Sequence, residues 1–219
     1  STAAREKLNA RTSFQKLERT LAANFDNGDL YLTLTYDDKH LPEDREAAIR
    51  RIRSFLSKLR KARKTRGQLL HYIYVTEGCG PGGRLHHHVV LNGTGDDLEE
   101  IRRLWIYGDN IEVRRLTIDS DHTYEDLASY LTKEPREWGH PQVGERTWTP
   151  SLGLARPEPQ TESVPDYVTL TAPPGAIAIQ VEGPVRNGYG EYTWMKYMLP
   201  RQPGRKKPRA KRRRRRPKE

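Results

Sequence analysis

Residues 30–36 (LYLTLTY) alternate aliphatic with β-branched or aromatic side chains, as a half-buried strand does, after the turn-forming run Asp26-Asn27-Gly28-Asp29. The period then lengthens. Pro42-Glu43-Asp44 supplies an acidic first turn, and Ala48, Ile52, Phe55, Leu59 and Ala62 recur at spacings of four, three, four and three, which predicts a helix to about residue 66. Its opposite face carries Arg50, Arg53, Lys58, Lys61 and Lys64, for which a solvated surface is the plain reading. Strands at about 70–76 (LHYIYVT) and 85–91 (LHHHVVL) flank the glycine-rich run Gly78-Cys79-Gly80-Pro81-Gly82-Gly83, and this short connection predicts an antiparallel hairpin. After Gly93-Thr94-Gly95, the residues Leu98, Ile101, Leu104 and Trp105 mark a short amphipathic helix over about 96–105. A strand near 110–117 (NIEVRRLT) and a helix from about Thr123 that ends before Pro135 complete the pattern. The order β-α-β-β-α-β-α predicts an α+β domain whose one antiparallel sheet is covered by helices, an arrangement that commonly leaves a face free for a ligand.

Two regions lack such periodicity. Residues 1–29 are read as an N-terminal segment, and 135–166, rich in Pro, Gly and Trp, as a long loop whose Trp138 and Trp148 either pack on the domain or stack on DNA. Beyond it the runs YVTL, AIAIQVE and YGEYTWMKYM over 167–199 are strand-like; they either extend the sheet or form a small β subdomain.

Charge changes this picture less than the total suggests. The 219 residues carry a formal net charge of +10, but residues 201–219 hold twelve basic residues and one acid, leaving the first 200 with 27 basic against 28 acidic. The excess sits in a tail with six consecutive cations, Lys211 to Arg216, which repel one another and stay solvated. A mean hydropathy of −0.91, with no apolar run near the ~18 to 20 residues that span a bilayer, excludes an integral membrane protein. The first 30 residues have no unbroken apolar segment, so no signal peptide is expected. The single cysteine, Cys79, excludes an internal disulfide and a cysteine-based zinc knuckle, and fits a reducing intracellular compartment. No GxxxxGK[ST] occurs, which argues against a built-in nucleotide-driven motor.

Candidate chemistry lies in the third strand. Side chains alternate there, so His86 and His88 share one face while His87 joins Leu85, Val89 and Leu91 on the other. Glu77 ends the preceding strand of the same hairpin, and a carboxylate beside two imidazoles makes a nitrogen and oxygen donor set with open coordination positions. Such a set accepts Mg²⁺ or Mn²⁺ for phosphate chemistry, and Zn²⁺ or Co²⁺ also fit. In the last helix Tyr124, Leu127, Ala128 and Leu131 form the apolar stripe. Tyr130 lies roughly 110° from its middle, with Lys133 as its neighbour. A tyrosine oxygen near a cation and an ammonium can attack a phosphodiester.

In order along the chain, LTLTYDDKHLP (32–42), GRLHHHVVLNG (83–93) and Tyr130-Leu131-Thr132-Lys133 as YxxK resemble the HUH endonucleases, most closely the rolling-circle replication initiators (Rep proteins) of bacterial phages and plasmids. TEGCGPGGRLHHHVVLNG, LASYLTKEPRE and TWTPSLGLARPE are similar to the same group. The resemblance implies an HUH/Rep-type (RRM-like, ferredoxin-like) central antiparallel sheet of about five strands flanked by helices. It implies a core over 30–134, a loop and β-rich extension of the same domain over 135–200, and a disordered basic tail over 201–219. It implies a metal-dependent enzyme that nicks single-stranded DNA at a rolling-circle origin, often presented in a hairpin. The tyrosine becomes joined to the 5′ phosphate, a free 3′ hydroxyl is left for synthesis, and strands are later rejoined. Carried over by motif, Tyr130 is the nucleophile, His86 and His88 are metal ligands with Glu77 as the third, and Lys133 assists. Thr33, Thr35 and Asp37 in the first motif, together with Arg84, are expected DNA contacts. The chain offers one well-placed tyrosine, so termination needs a second protomer or Tyr124. The implied partners are origin DNA, a host helicase and a host polymerase, with no membrane, in the cytoplasm of a bacterial host. The readings that compete are a relaxase or transposase using the same chemistry, a metal-dependent hydrolase that activates water, and a non-catalytic single-strand binder.

Overall fold

Along β1 (Leu30–Thr35), Leu30, Leu32 and Leu34 are buried, and Tyr31, Thr33 and Thr35 alternate with them on the other face. This follows from the period-two pattern of the sequence. The structure is a computed structural model describing residues 2–78, 82–117, 124–133, 146–158, 169–188 and 190–199. β2 (Tyr72–Glu77) and β3 (His86–Leu91) form the expected antiparallel hairpin, with Glu77 opposite His86 and Val75 opposite His88. β1 inserts beside β3, placing Thr33 opposite His88, and pairs on its outer side with β4 (Ile111–Arg115). The fifth strand is β5 (Thr149–Pro150), giving the antiparallel order β4-β1-β3-β2-β5. β5 falls within the stretch read as loop, because two residues of pairing against β2 leave no periodicity to detect.

One face of the sheet carries the main core. α2 (Arg45–Thr65) begins at Asp44, whose side chain accepts a hydrogen bond from the Ala47 amide, and buries Ala48, Ile52, Phe55, Leu56 and Leu59. These meet Leu32, Leu34, Tyr74, Val89 and Leu91 from the strands, Ile101 from α3 (Asp97–Leu104), and Trp105. Each fully buried Leu, Ile or Phe contributes about 1.5–3 kcal/mol. Arg63 interrupts this apolar layer with no exposed surface; its guanidinium lies 2.6 Å from Asp97 and 2.8 Å from the Asn92 carbonyl, tying the end of α2 to the start of α3.

The opposite face is also largely covered. Ile73, Val75 and Val90 point that way and are at most 1% exposed. Cover comes from α1 (Thr2–Asn24), which the sequence reading left as an undefined segment, and from α4 (Glu125–Leu131). Phe14, Leu17, Leu21 and Phe25 follow helical spacing; the last three are fully buried. Tyr124 donates a hydrogen bond to the Phe25 carbonyl, fastening α4 to the end of α1. Trp148 donates to Ser13 of α1 at 3.1 Å and so packs on the domain, while Trp138 and Cys79 lie outside the described residues. The sheet face expected to stay free is therefore open only around the ends of the strands that carry the histidines.

The chain divides by contact into one unit over 1–117 and 124–157 and another that includes 158–209. In the second, β6 (Ile177–Asn187) and β7 (Gly190–Met198) pair as a separate two-stranded antiparallel sheet, which decides between the two readings of that region. The basic tail, residues 201–219, lies outside the described residues. Among the described residues no helix is long and apolar enough to cross a membrane.

Candidate functional site

Strand pairing brings Glu77, His86 and His88 together: one ligand atom from each lies within 4.8 Å of the others. The two Nε2 atoms face each other at 3.2 Å, and a Glu77 carboxylate oxygen lies 3.3 Å from His88 Nε2 and 3.7 Å from His86 Nε2. The second nitrogen of each ring is already engaged. His86 Nδ1 lies 2.9 Å from the Arg84 carbonyl, which only accepts, so Nδ1 carries the hydrogen and Nε2 the lone pair. His88 Nδ1 lies 2.5 Å from the Tyr31 hydroxyl. Two facing imidazole nitrogens need a proton or a cation between them. A cation is favoured by Glu77, whose Oε1 is buried without a hydrogen-bond partner among the described residues. The donor set fits a divalent ion of the Mg²⁺, Mn²⁺ or Zn²⁺ kind, with coordination positions left for a ligand.

The hairpin turn contributes to this geometry. Gly78, at φ +83°, follows Glu77 directly, and a Cβ there would stand 2.0 Å from the Arg84 carbonyl oxygen, the same oxygen that orients His86. Only glycine permits that approach. The turn tip, Cys79 to Pro81, lies outside the described residues.

Tyr130 reaches the same place from α4. Its ring stands edge-on to His88 at 5.2 Å and to Tyr31 at 6.2 Å, and it is 52% exposed, whereas Tyr124 is 4% exposed. The off-stripe position on the helical wheel thus faces the histidines. Lys133 is exposed just beyond the C-terminal end of α4.

The remaining expected contacts divide. Thr33 Oγ1 lies 3.4 Å from His88 Nδ1, within the site. Thr35 Oγ1 donates to the Asn110 carbonyl at 2.7 Å. Asp37 caps the 3₁₀ turn Asp38–His40; its hydrogen bond from His40 lowers its carboxyl below the ordinary range. Arg84 donates to the Tyr36 carbonyl and to Asp38, each at 2.8 Å. These three are bound up in local structure at the rim.

Tyr31 belongs to the site and was not singled out from sequence. Besides its hydroxyl bond, its ring stacks on His88 at 5.5 Å and 18°. Burial first, and then the neighbouring Tyr130, hold its phenol protonated well above the ordinary tyrosine range. The signal was Tyr31 sharing a face with Thr33 and Thr35, but only the β1–β3 pairing shows that this face meets His88. His87 looks into the core, between the Tyr36 hydroxyl at 2.6 Å and Thr76 at 2.9 Å; burial, ahead of the adjacent histidines, pushes it down to about 3, so it stays neutral.

An antiparallel α+β sheet with a His-x-His strand, a glutamate beside it and a tyrosine over it defines a class of phosphodiester-handling site built for a divalent ion. Residues 29–135, which contain β1 to β4, α4 and this whole constellation, match the family model of the replication-associated protein ORF2. The matched stretch is a replication-associated domain of that family, consistent with a rolling-circle replication initiator. No curated protein matches the chain. Among solved structures, the hypothetical protein ORF119 from Sulfolobus islandicus rod-shaped virus 1 is similar at 13% identity over 61% of this chain and 99% of its own, with a TM-score of 0.36.

Proposed function

We propose that the chain is a replication initiator that nicks single-stranded DNA with Tyr130 as nucleophile. The observation that carries this reading is the placement of the Tyr130 ring against His88, at the rim of the His86, His88 and Glu77 group. In the proposed step the Tyr130 hydroxyl oxygen attacks the phosphorus, the new Oη–P bond replaces the P–O3′ bond, and the phenolic proton is balanced by protonation of the departing 3′ oxygen. A 5′-phosphotyrosine and a free 3′ hydroxyl result. A divalent cation held by His86 Nε2, His88 Nε2 and Glu77 would neutralise charge on the non-bridging phosphoryl oxygens. Tyr31, bonded to His88 Nδ1, fixes that imidazole, as partners of ligating histidines do. Lys133 adds positive charge next to the nucleophile, and Thr33, Thr35 and Arg84 line the approach of the strand. Burial of Tyr124 and its bond to Phe25 argue that rejoining uses Tyr130 of this or a second protomer. Initiation, as opposed to conjugative or transposase use of the chemistry, rests on the family match.

Single-stranded oligonucleotides tiled across the replicon that encodes the chain, incubated with Mn²⁺, should yield a covalent adduct in which the DNA is attached at Tyr130. Tyr130→Phe should form none while still binding the oligonucleotide. An adduct formed at wild-type level by Tyr130→Phe would overturn the assignment, and product released without any adduct would favour attack by water.

A further inference from the structure

The near-neutral body conceals a strong separation of charge. Residues 45–66, comprising α2 and its cap, contain ten basic residues and one acid, Glu46, so the other residues of the first 200 hold 17 basic against 27 acidic. Two of those cations have structural partners: Arg63 pairs with buried Asp97, and Arg66 with Glu100. Arg51 packs on the rings of Tyr36 and Tyr107. Along the outer side Arg50, Arg53, Lys58, Arg60, Lys61 and Lys64 are all exposed. Arg53 and Arg60 reach Tyr74 and Tyr72, and Arg50 has only a loose pair with Glu46 at 3.7 Å. Among the described residues Lys58, Lys61 and Lys64 have no carboxylate within ion-pair distance.

A helix face that is merely solvated usually alternates signs or pairs opposite charges three or four residues apart. This one sets like charges at those spacings. Lys58, Lys61 and Lys64 repel one another and return nothing to the fold, so their use lies with a ligand. From Arg50 to Lys64 the row runs about 21 Å at 1.5 Å per residue. That length faces about six base pairs of duplex, which present one phosphate charge per ~1.7 Å of axis. A single strand would need stacking platforms. The only aromatic residue of α2 is Phe55, which is buried, and the side chains between the cations include Ser54 and Ser57, small hydroxyls suited to phosphate oxygens. α2 also packs on the face of the sheet opposite to the one bearing His86, His88 and Tyr130.

We infer that the outer face of α2 binds the phosphate backbone of double-stranded DNA, so that one side of the sheet grips duplex while the other handles the single strand. This rests on the reading of the chain as a DNA-acting protein. It is independent of the tail, which has no base or duplex preference of its own.

The test uses the full chain and a variant carrying Arg50→Gln, Lys58→Gln, Lys61→Gln and Lys64→Gln, all at exposed positions, with circular dichroism to verify the helix. Binding to a 30-base-pair duplex is measured between 50 and 300 mM salt, and nicking of a single-stranded oligonucleotide is assayed in parallel. The expected result is a log–log salt slope shallower by about 3, near 0.9 per lost phosphate contact, with single-strand nicking unchanged. An unchanged duplex slope overturns the inference. So does an equal loss of duplex and single-strand binding, which would make the ridge a general anion face. Absence of nicking by the unsubstituted chain would sink the proposed chemistry instead, and leaves the duplex slope as a separate reading of α2.

Discussion

Replacing Tyr31 by Phe removes one oxygen and keeps the ring that stacks on His88, so the substitution isolates the hydroxyl bond to Nδ1. With that bond gone His88 loses the partner that fixes its ring, and affinity for Mn²⁺ should fall about 10- to 100-fold, the usual cost of losing such a partner. Calorimetric titration of Mn²⁺ without DNA reads this directly, and unchanged affinity would show that Tyr31 only packs. The contrast between Tyr31 and His88 also marks how far single residues were legible. That His86 and His88 share a face follows from strand alternation, and that Glu77 joins them follows from the hairpin; both are local. Tyr31 comes from 57 residues away in sequence and meets His88 only because β1 pairs with β3.

Among the elements, α2, β1, the β2–β3 hairpin, α3 and β4 form close to where periodicity and capping place them, since each buries a stripe long enough to repeat. α1 carries the same kind of signal in Phe14, Leu17, Leu21 and Phe25, though diluted by the mostly polar or small residues before Thr12. The Arg63–Asp97 pair had no such signal: a basic residue in a basic helix reads as solvated until the fold buries it. Its pH behaviour follows from Asp97. Burial works to raise that carboxyl, but hydrogen bonds from the Thr94 hydroxyl and amide, with the charge of Arg63, outweigh it and hold it below the ordinary range. The folded value is thus the lower one, so the stabilisation is complete above the ordinary carboxylate pKa of about 4 and is lost as pH falls through the depressed value. Urea midpoints taken from pH 7 to pH 3 should drop steeply in acid for the unsubstituted chain and less steeply for Asp97→Asn. Identical acid limbs would remove Asp97 from the account.

For the whole molecule, net charge is a poor guide until it is placed. Twelve cations lie in residues 201–219 and ten in α2 and its cap, while the rest of the body is acidic. The tail is best understood as a tether that raises the local concentration of the domain on DNA without sequence preference. Deleting 201–219 should weaken binding to single and double strands alike and flatten its salt dependence, while adduct formation at saturating oligonucleotide stays the same; an unaltered salt slope on filter binding would end that idea. Sequence alone determined what depends on near neighbours: the strand and helix periods, the shared face of His86 and His88, the reach of Glu77 across a short turn, and the off-stripe position of Tyr130. Tertiary structure decided what depends on distant partners. It set β1 between β3 and β4, laid α1 and α4 over the face expected to be free, paired Thr149 and Pro150 with β2, buried Arg63 against Asp97, and turned Tyr130 toward His88. Those choices come from packing between segments tens of residues apart, where no local period carries the information.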